Sequence, residues 1–393
     1  MSCTLRASVV TGLEFLAADE VKERLSVPEV LEGRGFITWS QDIETVTQAL
    51  NLKIIDHLQV TMSKFMVEFA DENTAALDQL EDLVPQVDWQ TGLNVWSHFT
   101  DFPHTVSSLP VDSKPELDRG DRDLQTSTVP LPKYRATCHR AGQHHKFSSP
   151  EAGHRLGGII QTRFGWNVNL KDFDLEVVIR ITDNEVTFGI ALTKVSLYHR
   201  NVSEFSRTTL KANICAGLLR LADIQPNEIV VDPMCGSGNV IVEGALTHPH
   251  SFCLAGDIQE YCVGSSIANI LAVNSKRQEQ GLPQLNAGVI QWDATNLPLV
   301  TDSVDVIVTD LPYGKRMGNK VDNRKLYPMF LTEAARVTRP QSSRAVILTA
   351  DRKCMNTVLP QVRKWWSMPR TTIINHGGIR SCIYLLRRTA LVW

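Results

Sequence analysis

The sequence predicts an α/β protein in which two small mixed units precede a doubly wound domain built on a mostly parallel sheet. Three observations carry this. From residue 227 onward, short apolar strands alternate with helical segments. Upstream, a stretch at 112–132 rich in Asp, Pro, Ser and Thr separates two groups of strands and helices, as a linker does. At the end, segments 371–375 and 379–387 flank His376-Gly377-Gly378, which reads as an antiparallel hairpin. The expected division is 1–111, a linker at 112–132, a unit at 133–195, a connecting segment at 196–226 and a final domain at 227–393.

In chain order, 5–10 is a strand. Leu13, Leu16, Ala17, Val21 and Leu25 then recur at the period of an amphipathic helix. A short strand at 35–39 and a helix at 43–50 follow. Beyond the linker come a strand at 134–140, a helix near 150–164 and strands near 175–181 and 185–192. The final domain has strands at 229–231, 252–255, 287–291, 304–309 and 344–349, with helices near 240–246, 260–274 and 326–338. There is no internal repeat.

A chain of 393 residues with 43% hydrophobic and 21% charged residues has room for two to three globular domains and lacks the composition of a disordered chain. No apolar run approaches the ~20 residues of a membrane helix. The first ten residues do not resemble a secretory signal. Eight cysteines are scattered with no C-x-x-C pair, which speaks against a zinc ribbon and for a reducing, cytoplasmic compartment. The net charge of -3 conceals an asymmetry: residues 1–130 carry 9 Lys and Arg against 22 Asp and Glu, and the remainder carries 31 against 21. A polyanion is therefore expected on the second part of the chain.

Glu228-Ile229-Val230-Val231-Asp232-Pro233-Met234-Cys235-Gly236-Ser237-Gly238 is a buried strand entering a glycine turn. Gly236 and Gly238 allow a sharp turn and close ligand approach, and the turn lies where doubly wound sheets bind ligands. It is neither G-x-G-x-x-G nor a phosphate loop. Asp232 suits a cationic amino group, such as that of S-adenosylmethionine, with Pro233 and Cys235 lining the turn. Asp257, at the end of the second strand, can accept both ribose hydroxyls, and Ile258 can pack on the adenine. Asp293, after the third strand, can accept from the adenine amine, with Ala294 beside it. Alone, each Asp reads as a turn residue; three at successive strand ends read as a cofactor site.

Thr309-Asp310-Leu311-Pro312-Tyr313-Gly314 follows the fourth strand. It resembles the (Asp/Asn)-Pro-Pro-(Tyr/Phe) motif of methyltransferases that act on planar exocyclic nitrogens. Such a nitrogen is a poor nucleophile because its lone pair is delocalised. Two acceptors on its hydrogens, the Asp310 carboxylate and the Leu311 carbonyl, draw it toward a tetrahedral form. Pro312 fixes the turn, and Tyr313 stacks on the base. Positioning of this kind can supply several of the ~7–11 kcal/mol available to full preorganisation. Leu311 stands where the commoner motif has Pro, so a less rigid loop is expected. In such families Asp at the first position accompanies guanine amines in RNA.

Between 131 and 171 there are seven Lys and Arg, four His and a single acid, Glu151. Arg135, Arg140, His144, Lys146, Phe147 and Arg163 are the expected RNA contacts, aided by the N-terminus of the following helix, with Lys315 and Arg316 after the catalytic turn. The His144-His145 pair has no Cys or carboxylate partner at metal-ligand spacing, so no metal is expected.

The segment from Arg135 to Ser149, the helix with Gly157-Gly158 and the two strands ending at Leu192 look like a THUMP domain. The part around Thr11-Gly12-Leu13-Glu14 is similar to the ferredoxin-like domain that precedes THUMP, and Leu197-Tyr198-His199-Arg200-Asn201 looks like the link to a catalytic domain. Nearly the whole chain thus resembles the eukaryotic THUMP-containing tRNA guanine-N2-methyltransferases. The resemblance implies a ferredoxin-like plus THUMP module that grips the tRNA 3′ end, followed by a Rossmann-like class I methyltransferase domain. It also implies S-adenosylmethionine as cofactor, guanosine 6 of the acceptor stem as target, and a small zinc-ribbon activator subunit. Asp310 and the basic module disfavour an adenine or glutamine methyltransferase; the intact Asp232, Gly236, Gly238, Asp257, Asp310 and Tyr313 disfavour a non-catalytic RNA-binding protein.

Overall fold

The structure, a computed structural model, describes residues 2–100, 102, 131–142, 145–204, 209–314 and 320–392. Its first part contains β1 (Ser2–Val9), α1 (Glu14–Leu25), β2 (Val30–Gly33), β3 (Phe36–Asp42), a 3-10 helix (Ile43–Asn51), β4 (Ile55–Met66), α2 (Asn73–Glu81) and α3 (Trp89–Thr100). Next come β5 (Lys133–Ala141), α4 (Ser149–Phe164), β6 (Asn167–Val168), β7 (Leu175–Thr182) and β8 (Glu185–Ala191). All eight strands form one sheet in the order β2-β3-β1-β4-β8-β7-β5-β6. The two units expected on either side of the linker therefore share a sheet, joined by antiparallel pairing of β4 with β8. The linker itself lies outside the described residues, apart from Leu131 and Pro132.

β4 is not legible from alternation, for a physical reason. Leu58, Gln59 and Val60 are all buried in succession, and the register slips beside Thr61 against β8. A strand paired on both sides and covered on its second face by neighbouring side chains loses the in–out pattern that marks half-exposed strands. The expected helix at 43–50 is a 3-10 stretch.

The second part holds α5 (Ala212–Ala222), β9 (Ile229–Asp232), α6 (Asn239–Thr247), β10 (Phe252–Asp257), α7 (Glu260–Glu279), β11 (Ala287–Gln291), β12 (Val306–Asp310), α8 (Lys320–Val337), β13 (Arg344–Thr349), α9 (Arg352–Val358), β14 (Trp366–His376) and β15 (Ile379–Arg388). The sheet order is β11-β10-β9-β12-β13-β15-β14. Its first five strands are parallel, and β15 runs antiparallel to both neighbours. α5, inside the expected connecting segment, carries no helical signature in the sequence because Ala212 to Leu219 are all buried and it shows no polar stripe.

The two parts meet closely. A backbone bridge joins Thr11 to Asn375. Gly12 (φ 100°) approaches β14 so closely that a Cβ would lie 2.1 Å from the Ile373 carbonyl oxygen. Leu13 and Leu16 of the first part face Gly217 of α5. The link is pinned by Arg200, whose guanidinium bonds the Leu197 and Lys53 carbonyls at 2.9 and 2.8 Å and pairs with buried Glu243 of α6 at 3.0 Å.

Candidate cofactor and catalytic site

β9 delivers Asp232 to the carboxyl edge of the sheet, 1% exposed, where its carboxylate accepts the Met234 amide (3.3 Å). Burial, opposed by the neighbouring Thr309 hydroxyl and reinforced by Asp257, pushes its carboxyl up to about 7. The turn that follows is left-handed at Gly236 (φ 54°) and Gly238 (φ 80°). A Cβ on Gly238 would collide with Ser266, whereas one on Gly236 would meet nothing within 4 Å. Gly236 thus presents bare backbone to open space, as a ligand cradle requires.

Asp257 ends β10 and is buried; its two oxygens receive the Gln259 amide (2.9 Å) and the Gly236 amide (3.1 Å). The strand-end carboxylate therefore also ties the glycine turn in place. Ile258 is 58% exposed beside it. Asp293 is exposed, with Oδ1 taken by the Thr295 amide and hydroxyl, and Ala294 is buried. Between them Trp292 donates to the Pro233 carbonyl at 3.0 Å and lies against Gly256, where a Cβ would sit 2.1 Å from the indole. Sequence reasoning missed Trp292, although its place between two strand-end residues was the signal. Cys235 is buried, its thiol against Ser266, and its amide bonds the Gly256 carbonyl.

β12 ends at Asp310, adjacent to β9 in the sheet. Among the described residues, Asp310 Oδ1 and the Tyr313 hydroxyl are buried without a hydrogen bond of ordinary geometry, although each feels the other's presence. Burial, with Asp232 adding and Tyr313 opposing, pushes the Asp310 carboxyl up to about 8. The Tyr313 ring meets His376 edge-on at 6.4 Å between centroids.

The loop is more rigid than Leu311 suggests. Leu311 is 1% exposed within the apolar core, and its amide bonds the Leu348 carbonyl. The Pro312 carbonyl accepts from both the Tyr327 hydroxyl (2.8 Å) and Asn323 Nδ2 (3.0 Å). Tyr327 in turn bonds Thr349, and Asn323 bonds Asp351. These supports lie at i and i+4 on one face of α8, a spacing visible in the sequence but with no mark of what it held.

The expected RNA contacts divide. Phe147 is buried against Phe69 and is core, not a base-stacking surface. Arg135 pairs with Glu176 at 2.9 Å and lies over Phe173, so much of its charge is already met. The N-terminus of α4 is closed by its own capping box, Ser148 with Glu151, and offers no free anion site there. Arg140 is exposed, 3.3 Å from His145; Lys146 is exposed; Arg163 is half-buried. His144, Lys315 and Arg316 lie outside the described residues.

A family model described as RMKL-like, methyltransferase domain matches residues 200–380, and a THUMP domain model matches 122–191. The tRNA (guanine(6)-N(2))-methyltransferase THUMP3 of Homo sapiens is 37% identical over 447 residues, covering 98% of this chain and 88% of that protein. The chain belongs to the THUMP-domain methyltransferase family. It is accordingly an S-adenosylmethionine-dependent methyltransferase. Solved structures of low sequence identity share the fold. TrmN from Thermus thermophilus superposes with a TM-score of 0.74 at 23% identity, covering 99% of this chain and 100% of that one. A putative methyltransferase, SMU.472, complexed with SAH gives 0.71 at 16% identity, covering 100% and 99%. A cofactor fits the observed cradle. Asp232 would face its ammonium, Asp257 its ribose and Ile258 its adenine.

A pH dependence follows. With Asp232 and Asp310 raised to about 7 and about 8, the folded, cofactor-free protein holds protons that the unfolded chain has lost above about pH 4. The contribution of these two groups to the stability of that form is full below pH 4 and falls as pH rises toward 8. A cationic ligand favours the carboxylates, so its binding tightens with rising pH and releases protons near pH 7. Calorimetric titration in buffers of different ionisation enthalpy measures this; equal heats in all buffers contradict it.

Proposed function

We propose that the chain methylates the exocyclic N2 amine of guanosine 6 in the tRNA acceptor stem. The carrying observation is the Asp310 carboxylate, one oxygen of which is buried without a hydrogen bond of ordinary geometry among the described residues, beside a loop whose shape is fixed by two hydrogen bonds to the Pro312 carbonyl. Asp310 and the Leu311 carbonyl accept the two amine hydrogens, and Tyr313 stacks on the base. S-adenosylmethionine, when bound, supplies the methyl group and a positive charge. The THUMP3 relatives support the choice of tRNA and of guanosine 6. A tRNA carrying inosine, which lacks the amine, in place of that guanosine tests the reading. Its methylation must vanish; methylation equal to that of the guanosine substrate contradicts it.

The finer partner proposal is the small zinc-ribbon activator. β11 is the sheet edge, without charge or proline in Ala287-Gly288-Val289-Ile290-Gln291. Ile290 on it, Phe252 beside its Gly288, and Ile267 and Leu271 of α7, which packs against it, are exposed. An uncharged edge flanked by apolar side chains suits strand addition. In a parallel edge strand, adjacent residues point their amides to opposite sides, so one of Val289→Pro and Ile290→Pro removes an outward donor. Loss of activator co-purification with one folded variant is expected; undiminished co-purification with both places the interface elsewhere. Eight buried, free cysteines suit the cytoplasmic setting we propose. Among the described residues no helix is long and apolar enough to cross a membrane.

A further inference from the structure

We propose that the face of the eight-stranded sheet opposite its helices binds the RNA phosphate backbone; this rests on the tRNA reading above and names a surface for it. The helices of the sheet take one side. α3 sets Gly92 against Met62 and Ile190, and α4 sets Gly153 and Gly157 against Ala136 and Cys138. Strand alternation then turns Arg6, Gln59, Arg180 and His139 to the other side, where no helix packs among the described residues. The register lines them up: Arg6 is opposite Gln59, and His139 is opposite Arg180.

This face differs from an ordinary wet sheet surface in two ways. Its donors are buried and unpartnered: Gln59 Nε2, Thr61 Oγ1 and Arg135 Nε have no hydrogen bond among the described residues, and Gln59 is 5% exposed. All three are on the helix-free side of the sheet. Gly189 lets the Gln59 amide lie down on the strand backbone, since a Cβ there would sit 2.6 Å from the Val60 carbonyl oxygen and 3.2 Å from Gln59 Nε2.

The cations are also in excess. Arg6 lies over Phe36, and Arg180 bonds Gln59 Oε1 at 3.2 Å; neither forms a salt bridge among the described residues. Burial, with the Arg180 charge beside it adding, pulls Arg6 down to about 10. The nearby acids are already engaged, Glu176 by Arg135 and Glu185 by Lys64. An RNA backbone supplies the missing negative charge. Arg6 comes from the acidic first part of the chain, so the net charge of a segment does not report the charge of a face built across two segments.

The test uses the unmodified full chain. Exposed His57 and His139 are labelled with diethyl pyrocarbonate with and without saturating tRNA, and His250, exposed between β9 and β10, is the control. Protection of His57 and His139 but not His250 is expected. In parallel, the double variant Arg6→Gln, Arg180→Gln, checked for native circular dichroism, should weaken tRNA binding and lower its salt slope by about two. Equal labelling of His57 and His139 under saturating tRNA overturns the proposal even if the variant binds weakly. Failure of the wild type to bind or methylate tRNA instead overturns the function on which the proposal rests.

Discussion

Replacing Asp310 with Ala lowers single-turnover methyl transfer to tRNA by on the order of a thousandfold, the scale of one preorganised catalytic group. Cofactor affinity stays within a few-fold, because the proposed cofactor contacts come from β9 and β10. The variant should also separate function from stability. A carboxyl raised to about 8 by burial contributes stability below its unfolded value near 4 and loses it as pH rises through 8. Removing it therefore raises the unfolding temperature of the cofactor-free protein most at pH 8. Asp310→Asn keeps one acceptor and should fall between the two in rate. Near wild-type transfer by Asp310→Ala would remove Asp310 from the chemistry.

Asp257→Ala is expected to weaken cofactor binding by about 1.5–3 kcal/mol, the worth of a charge-assisted hydrogen bond, or on the order of 10- to 100-fold. The structure adds a second reason for the loss, since the same carboxylate holds the Gly236 and Gln259 amides. A calorimetric dissociation constant equal to that of the wild type would place the ribose elsewhere.

The catalytic half was legible because its signals are local. A buried strand, a glycine turn and a strand-end Asp lie within a dozen residues, so Asp232, Gly236 and Gly238 announce their arrangement in one dimension. Asp310 to Tyr313 do the same. The supports of that loop were not legible, because Tyr327 and Asn323 reach Pro312 from α8 and carry no local mark of a partner more than ten residues away. The recognition half was harder. Its sheet is closed by β4 against β8, a pairing of residues more than a hundred positions apart. Once that pairing forms, Phe147 is covered by Phe69 and Arg6 arrives on a face that the segment charge assigned to other residues, while Arg135 meets Glu176 through the β5–β7 register. Basic composition showed that anions should be met, but only the register shows where cations gather.

The most direct measurement is mass spectrometry of the nucleosides from tRNA incubated with the protein and S-adenosylmethionine, with and without the activator. The account predicts N2-methylguanosine, absent with Asp310→Ala and absent when guanosine 6 is replaced. Appearance of N6-methyladenosine instead, or no methylated nucleoside under either condition, would contradict it.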